Sequence, residues 1–480
     1  MKKTFSDSAL ENIYSRLETP ESRIGNPQSE KRSPIHVVYG GANIFKAETP
    51  QKLGKLALKS LETYAPNFVE FACAMWLKGA DTLPEYEDVI AVIENDLKEN
   101  PEKVKQRNFN AWFAWTVYQR TIEKLKREPV EDFRIDFEDG YGFRADDDED
   151  EHAVSASSEL AKSFLDNTIT PFCGFRIKSL QPETYKRAIR TLDLFLTNLL
   201  EKTGGKLPEN FVVNLPKIKR KEEVKTLDEI LSEFERQNNL ENGAIKIEIM
   251  IETLQAIVNP KGKSALPKLI EAANGRCISA HFGAYDYTAS LGIAGVHQHL
   301  RHEACNFARQ MMLISLSPLG IRLSDSVTTE MPIPVHKGEN LSEKQLEENK
   351  RAVHNAWRAH FNNVTHSLIK GFYQSWDLHP AQLAARYAAV YSFFLEARDE
   401  QAKRLKGFVE KATQAMITGN QFDDAASAQG LLNFFISGLN SGAIAEKEIL
   451  EMTDLTAEEL KSASFIKIME NRRKAEASGV

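Results

Sequence analysis

The sequence predicts an α/β fold, a (β/α)8 TIM barrel with a helical insertion after strand 1 and a helical C-terminal extension. Three observations point there: eight short, apolar, β-rich bursts, helical patterns alternating with them, and a length of 480 residues that one barrel with insertions fills. A doubly wound open sheet is the alternative. It would normally carry a glycine-rich phosphate loop, and the sequence has none.

In chain order the bursts are IHVVYG (35–40), FRIDFED (133–139), FCGFRI (172–177), FVVNLP (211–216), IKIEIMIE (245–252), ISAHFG (278–283), GIRLSD (320–325) and GFYQSWDL (371–378). Long amphipathic stretches such as PETYKRAIRTLDLFLTNLLEK separate them. The spacing breaks once. Between the first two bursts, PQKLGKLALKSLETYAPNFVEFACAMWL and NFNAWFAWTVYQRTIEKLKRE carry i, i+3, i+4 apolar repeats, which predicts inserted helices packed on the barrel over about 50–130. The expected organisation is an N-terminal helical segment (1–34), the barrel (35–394) and a C-terminal helical extension (395–480), with disorder expected only in the last few residues.

A net charge of −7 supplies no global basic field, which argues against nucleic acid and anionic membrane as main partners. The N-terminal MKKTFSDSALENIYSRL has no apolar core behind its lysines, and no window reaches membrane-spanning length, so the expected location is the cytoplasm. Cys73, Cys173, Cys277 and Cys305 are widely spread with no C-x-x-C, and are expected as reduced core thiols.

Side chains alternate along a strand, so parity sorts residues between the barrel interior and the helix layer. In RIDFE the apolar Phe133, Ile135 and Phe137 face the helices. That sends Arg134, Asp136 and Glu138 inward, with Glu138 and Asp139 at the C-terminal mouth, where barrel enzymes place their chemistry. Strand five repeats the pattern: Ile247, Ile249 and Ile251 face out, and Glu248, Met250 and Glu252 face in. Buried carboxylates need a cation, and Arg or Lys meets that need as well as a metal does. Asp286 follows strand six, so neighbouring strand ends bring it to Glu252. Two carboxylates with open positions make a hard-cation site, better suited to Mg2+ than to Zn2+ because no His or Cys ligands accompany them. Arg176 ends strand three and suits bidentate capture of a substrate carboxylate; Lys217, after strand four, offers a point charge or an acid.

These residues resemble the HpcH/HpaI aldolase and citrate lyase β-subunit group of the pyruvate- and phosphoenolpyruvate-binding barrels. The matching pieces, in family order, are DFEDGYG, FRI, LPKI, IMIET, FGAYD, FARQMMLISLSPLGIRLSDSV and GFYQSWDLHPAQL. The resemblance spans roughly 34–394 and implies a longer bacterial subgroup rather than citrate lyase itself. It implies Glu252 and Asp286 as Mg2+ ligands, with Mn2+ as a substitute, and Arg176 as the holder of the substrate carboxylate. Glu138 and Asp139 match the family's acidic pair beside the metal, and His379 to Gln382 its rim segment; Pro380 also suits a first helical position. The usual Arg-bearing first strand is replaced here, with Lys46 as the candidate substitute cation.

The implied function is a metal-dependent carbon–carbon lyase or aldolase that acts on a 2-oxo acid or acyl-CoA-type substrate through a metal-stabilised enolate. Catalytic candidates are Arg176, Glu138, Asp139 and Lys217; substrate-binding candidates are Arg176, Glu252 and His379. The expected partners are a small carboxylate substrate, with acyl-CoA left open, and further copies of the chain in a homo-oligomer. The alternatives are a phosphoenolpyruvate-utilising phosphotransferase and a non-catalytic binding protein on the same barrel. Against the first, GKS at 262–264 has Ile257 where a phosphate loop needs glycine.

Two further stretches have plain expectations. HQHLRHE (297–303) looks like a zinc cluster, with His299 and His302 expected on one helix face, but it is not H-E-x-x-H and a structural or interface role is expected. DDDEDE (146–151) is expected to be the solvated, dipole-favoured start of a helix.

Overall fold

Eight parallel strands close into a barrel in sequential order in the computed structural model, which describes residues 32–410, 416–418, 421–423 and 425–477. The strands are β1 His36–Gly41, β2 Asp132–Asp136, β3 Phe172–Arg176, β4 Phe211–Leu215, β5 Lys246–Ile251, β6 Cys277–Phe282, β7 Arg322–Val327 and β8 Gln374–Asp377. Each matches one sequence burst. β2 stops at Asp136, so Phe137, Glu138 and Asp139 form the turn beyond it rather than its last residues. Of the expected N-terminal segment, residues 1–31 lie outside the described residues, as do the final residues 478–480.

Parity holds across the barrel wall. Phe175 stacks on Phe195 of the helix Tyr185–Thr203 at 4.0 Å, and Phe137 meets the same ring edge-on at 6.0 Å. The main core therefore lies between strands and helices, and the polar residues of β2 and β5 are left to the interior.

The insertion between β1 and β2 is helical. Its longest helix, Phe109–Arg127, starts where the Asn108 side chain accepts from Ala111 N at 3.1 Å and ends in Lys124, Lys126 and Arg127 beside the C-terminal dipole. It packs along Leu383–Glu410, the helix after β8, with Arg398 over the Trp112 ring at 5.5 Å. Helices Ala425–Asn440, Glu446–Thr453, Ala457–Ser462 and Phe465–Ala477 continue the extension. Among the described residues no helix is long and apolar enough to cross a membrane.

The structure revises three of the local expectations. The helix after HQHLRHE begins at Glu303, so His299 precedes it. His302 is its cap, accepting from Ala304 N at 3.1 Å, and the two imidazoles share no helix face. DDDEDE does open the helix Asp146–Leu165, but it is not simply solvated: Glu149 is buried against Lys178 at 2.8 Å, and Asp150 pairs with Arg187 and Arg190. Of the four free cysteines, Cys173, Cys277 and Cys305 are buried, whereas Cys73 is exposed.

Candidate active site at the barrel mouth

The interior charges separate into a closed network and an open cluster. Deeper in the barrel, Arg134 donates to Glu248 through Nε and Nη2, both at 2.9 Å, and also pairs with Asp132. Asn214 (2.8 Å) and Ser279 (2.5 Å) donate to Glu248 as well, and His281 Nε2 lies 2.8 Å from it. Burial resists ionisation of Glu248, yet Arg134 and His281 hold it well below the usual carboxylate range. Asp132, which shares Arg134 with it, is pushed up by burial and by Glu248. This layer is structural.

The mouth is built from the residues just past the strand ends. Asp136, the last residue of β2, sits opposite Arg176, the last of β3, and takes its guanidinium edge-on: Nε to Oδ1 at 2.7 Å and Nη2 to Oδ2 at 2.6 Å. The Asp136 carboxylate also accepts from Glu138 N and Gly140 N. Gly140 has no room for a side chain, since a Cβ would stand 2.6 Å from Asp136 Oδ2, which is why Glu-Asp-Gly follows the strand. Asp136 takes the Nε–Nη2 edge of Arg176, so the expected bidentate capture of a substrate carboxylate would fall to the Nη1–Nη2 edge. Nη1 lies 3.3 Å from Glu138 and 3.6 Å from Asp139 without hydrogen-bonding geometry to either, buried and unpartnered.

Lys217 adopts a left-handed backbone, φ 53°, which few side chains other than glycine and asparagine accept. That turn aims two groups at the cluster. Its backbone N–H donates to Glu252 Oε1 at 2.6 Å, and its ammonium lies 2.8 Å from Glu138, 2.9 Å from Asp139 and 3.8 Å from Asp286. Burial would lower the lysine, but Glu138 and Asp139 hold it above its ordinary value. Glu252, just past β5, is buried and is pushed up to about 8, first by burial and then by Asp286. Glu138 is pushed up to about 7 by burial and by Asp139, against the pull of Arg176. Asp139, half-exposed, is lowered: burial opposes, but its hydrogen bond with Glu138 and the Arg176 charge prevail.

Glu252, Asp286, Glu138, Asp139, Arg176 and Lys217, six of the seven candidate site residues, therefore surround one mouth. His379 stands apart from this network. Its Nδ1 accepts from Ala381 N at 3.2 Å and caps the turn Pro380–Gln382, with Pro380 in the first helical turn; burial lowers its pKa. Lys46 pairs with Glu159 at 3.3 Å and joins no mouth carboxylate.

The donor set fits a hard divalent cation. Glu252 and Asp286 offer carboxylate oxygens from adjacent strand ends, and the buried Glu252, raised to about 8, lacks the counter-charge that its ionised form needs. At Gly283 a Cβ would meet Glu252 Cβ at 2.5 Å and Oε2 at 2.6 Å, so the glycine keeps that carboxylate in place. Among the described residues, no group of three or more His, Cys, Asp or Glu side chains is arranged to hold a metal. A two-carboxylate site completed by water and substrate oxygens is the arrangement Mg2+ favours.

Sequence reading missed the aromatic floor. Tyr39 of β1 and Trp376 of β8 stack at 4.0 Å, with the Arg176 guanidinium 4.9 Å from the first ring and 5.5 Å from the second. The Tyr39 hydroxyl contacts His281 Nδ1 at 3.0 Å, and Trp376 Nε1 is buried with no partner. Strand parity carries the missing signal: Trp376 shares its face with Gln374, which reaches Asp132 in the interior.

A solved structure shares the fold. A citrate lyase from Burkholderia xenovorans LB400 aligns with 70% of this chain and 92% of its own, at 16% identity and a TM-score of 0.50. CitE from Mycobacterium tuberculosis, in complex with magnesium, acetoacetate and coenzyme A, aligns with 68% and 95% at 15% identity and a TM-score of 0.43. Haloferax volcanii malate synthase, in a magnesium/glyoxylate complex, aligns with 70% and 88% at 16% identity and a TM-score of 0.39. At 16% identity the first of these likenesses is one of fold alone. No curated protein sequence matches the chain. One family profile covers residues 24–468, the barrel with its insertion and nearly all of its extension, and by that match the chain belongs to the family DUF6986, a domain of unknown function.

Proposed function

We propose that this protein is a divergent relative of the HpcH/HpaI aldolase and citrate lyase β-subunit group, a divalent-metal-dependent carbon–carbon lyase or aldolase. Its substrate class is a 2-oxo acid or an acyl-CoA-type compound. The observation that carries the reading is Glu252: a carboxyl group buried at the barrel mouth beside Asp286, with one backbone N–H as its donor and no cation to support its ionised form.

Glu252 and Asp286 are the residues that would hold Mg2+, or Mn2+ in its place. The ion, when bound, supplies Lewis-acid polarisation of a 2-oxo carbonyl and lowers the cost of enolate charge. Arg176 contributes fixed positive charge and orients the substrate carboxylate, itself held by Asp136 and the aromatic floor. Glu138, with its pKa near 7, is the group best matched to take or return a proton at the substrate carbon at neutral pH. Burial raises that value first, and the Asp139 charge beside it raises it further, against the pull of Arg176 and Lys217. Lys217 stays protonated among three carboxylates, so it acts as an ammonium and not as a Schiff-base nucleophile.

A screen of 2-oxo acids and acyl-CoA thioesters for pyruvate, glyoxylate or oxaloacetate turnover with Mg2+, run beside Glu252→Ala, tests the reading. Turnover that depends on Glu252 is the expected result. Turnover undiminished in the variant would overturn the metal assignment.

A further inference from the structure

Arg176 spends one edge of its guanidinium, Nε and one Nη2 N–H, on Asp136. Its Nη1 is the one nitrogen left without a partner, in a side chain that is 1% exposed. A monodentate seat would fix neither the angle nor the plane of a substrate carboxylate. A second donor from another side chain, meeting the same carboxylate as Nη1, would fix both.

The structure holds one in the same cluster. Trp376 Nε1 is buried and unpartnered, on a ring whose centre lies 5.5 Å from the Arg176 guanidinium carbon. Stacking does not explain the choice of tryptophan: phenylalanine would pack on Tyr39 and under Arg176 without burying an idle N–H. Both are buried donors with no acceptor, and a carboxylate has one oxygen for each. Nearby carboxylates do not fill the place. Asp136 is spent on the far edge of Arg176, and Glu138 approaches Nη1 only at 3.3 Å without hydrogen-bonding geometry.

We propose that Trp376 Nε1 and Arg176 Nη1 form a two-donor seat for one substrate carboxylate, which makes Trp376 a specificity-determining residue. The inference rests on the proposed function and names the part of the substrate that the mouth reads. The seat takes a single planar carboxylate and disfavours the matching amide, whose NH2 would face a donor.

Oxalate is the probe, titrated calorimetrically into the intact protein with Mg2+ present. Trp376→Phe should weaken oxalate about tenfold or more, the loss of a hydrogen bond to a charged group, and leave Mg2+ affinity without oxalate unchanged. Wild type should bind pyruvate in preference to pyruvamide, and the variant should narrow that preference, since the Arg176 charge still favours the anion. Should phenylalanine unsettle the stack, β-(3-benzothienyl)alanine at position 376 keeps the bicyclic ring and removes only the N–H. Oxalate affinity retained in both variants overturns the seat but leaves the metal reading standing. No Mg2+ binding by wild type overturns the reading itself and the seat with it.

Discussion

Glu248 and Glu252 stand four positions apart on the inward face of one strand and its end, both buried, and they are in opposite electrostatic states. Glu248 is met by Arg134, Asn214, Ser279 and His281 and is held well below the usual carboxylate range. Glu252 is met by one backbone N–H and by Asp286, and is pushed up to about 8. Burial is common to both, so partners decide the difference. A carboxylate that the fold has satisfied holds the barrel together; one that it has left unsatisfied is available to a ligand.

The comparison breaks most visibly at Arg134. Arg134→Met leaves Glu248 and Asp132 buried without their cation, and unfolding in urea should show a loss of about 3–5 kcal/mol. A loss below about 1 kcal/mol would mean that the deeper network is not structural. Glu252→Gln should do the reverse to the metal-free protein, leaving its stability equal or higher.

Titration separates the two with opposite signs. The pKa of Glu248 falls on folding, so its contribution is present above about 4.5 and is lost as pH drops below it. The pKa of Glu252 rises on folding, so stability is lost as pH climbs from about 4.5 through about 8. In chelator, urea midpoints should therefore decline over the second window, and Glu252→Gln should flatten that decline. An unchanged slope in the variant would contradict the state assigned to Glu252.

Gly283→Ala sharpens the comparison without touching charge. The added Cβ collides with Glu252 and should weaken Mg2+ about 10- to 100-fold by calorimetry, with the barrel still folded by circular dichroism. The smallest effect belongs to Lys46→Ala. Its ion pair with Glu159 is half-exposed, so stability should change by less than about 1 kcal/mol and Mg2+ affinity not at all.

Much of the fold was legible because barrel strands announce themselves twice, as apolar bursts and as parity. FRIDFED showed where β2 lies, and IEIMIE which carboxylates turn inward. Pairing across strands was less legible. Asp136 and Arg176 are register partners 40 residues apart, and the sequence order of strands does not state which residue stands opposite which. The same gap hid Trp376, on a strand of only four residues, whose partner Tyr39 lies at the other end of the barrel sequence. His299 was misplaced because a histidine spacing of three fits a helix as well as a loop; the cap formed by His302 sets the boundary.

The central claim is that Glu252 is left unsatisfied for a divalent cation. Calorimetric titration of Mg2+ and Mn2+ into the wild type and Glu252→Gln, both verified as folded, tests it most directly. Saturable binding to the wild type that disappears in the variant is the predicted result; a folded wild type that binds neither ion, or a variant that binds as tightly, would contradict it.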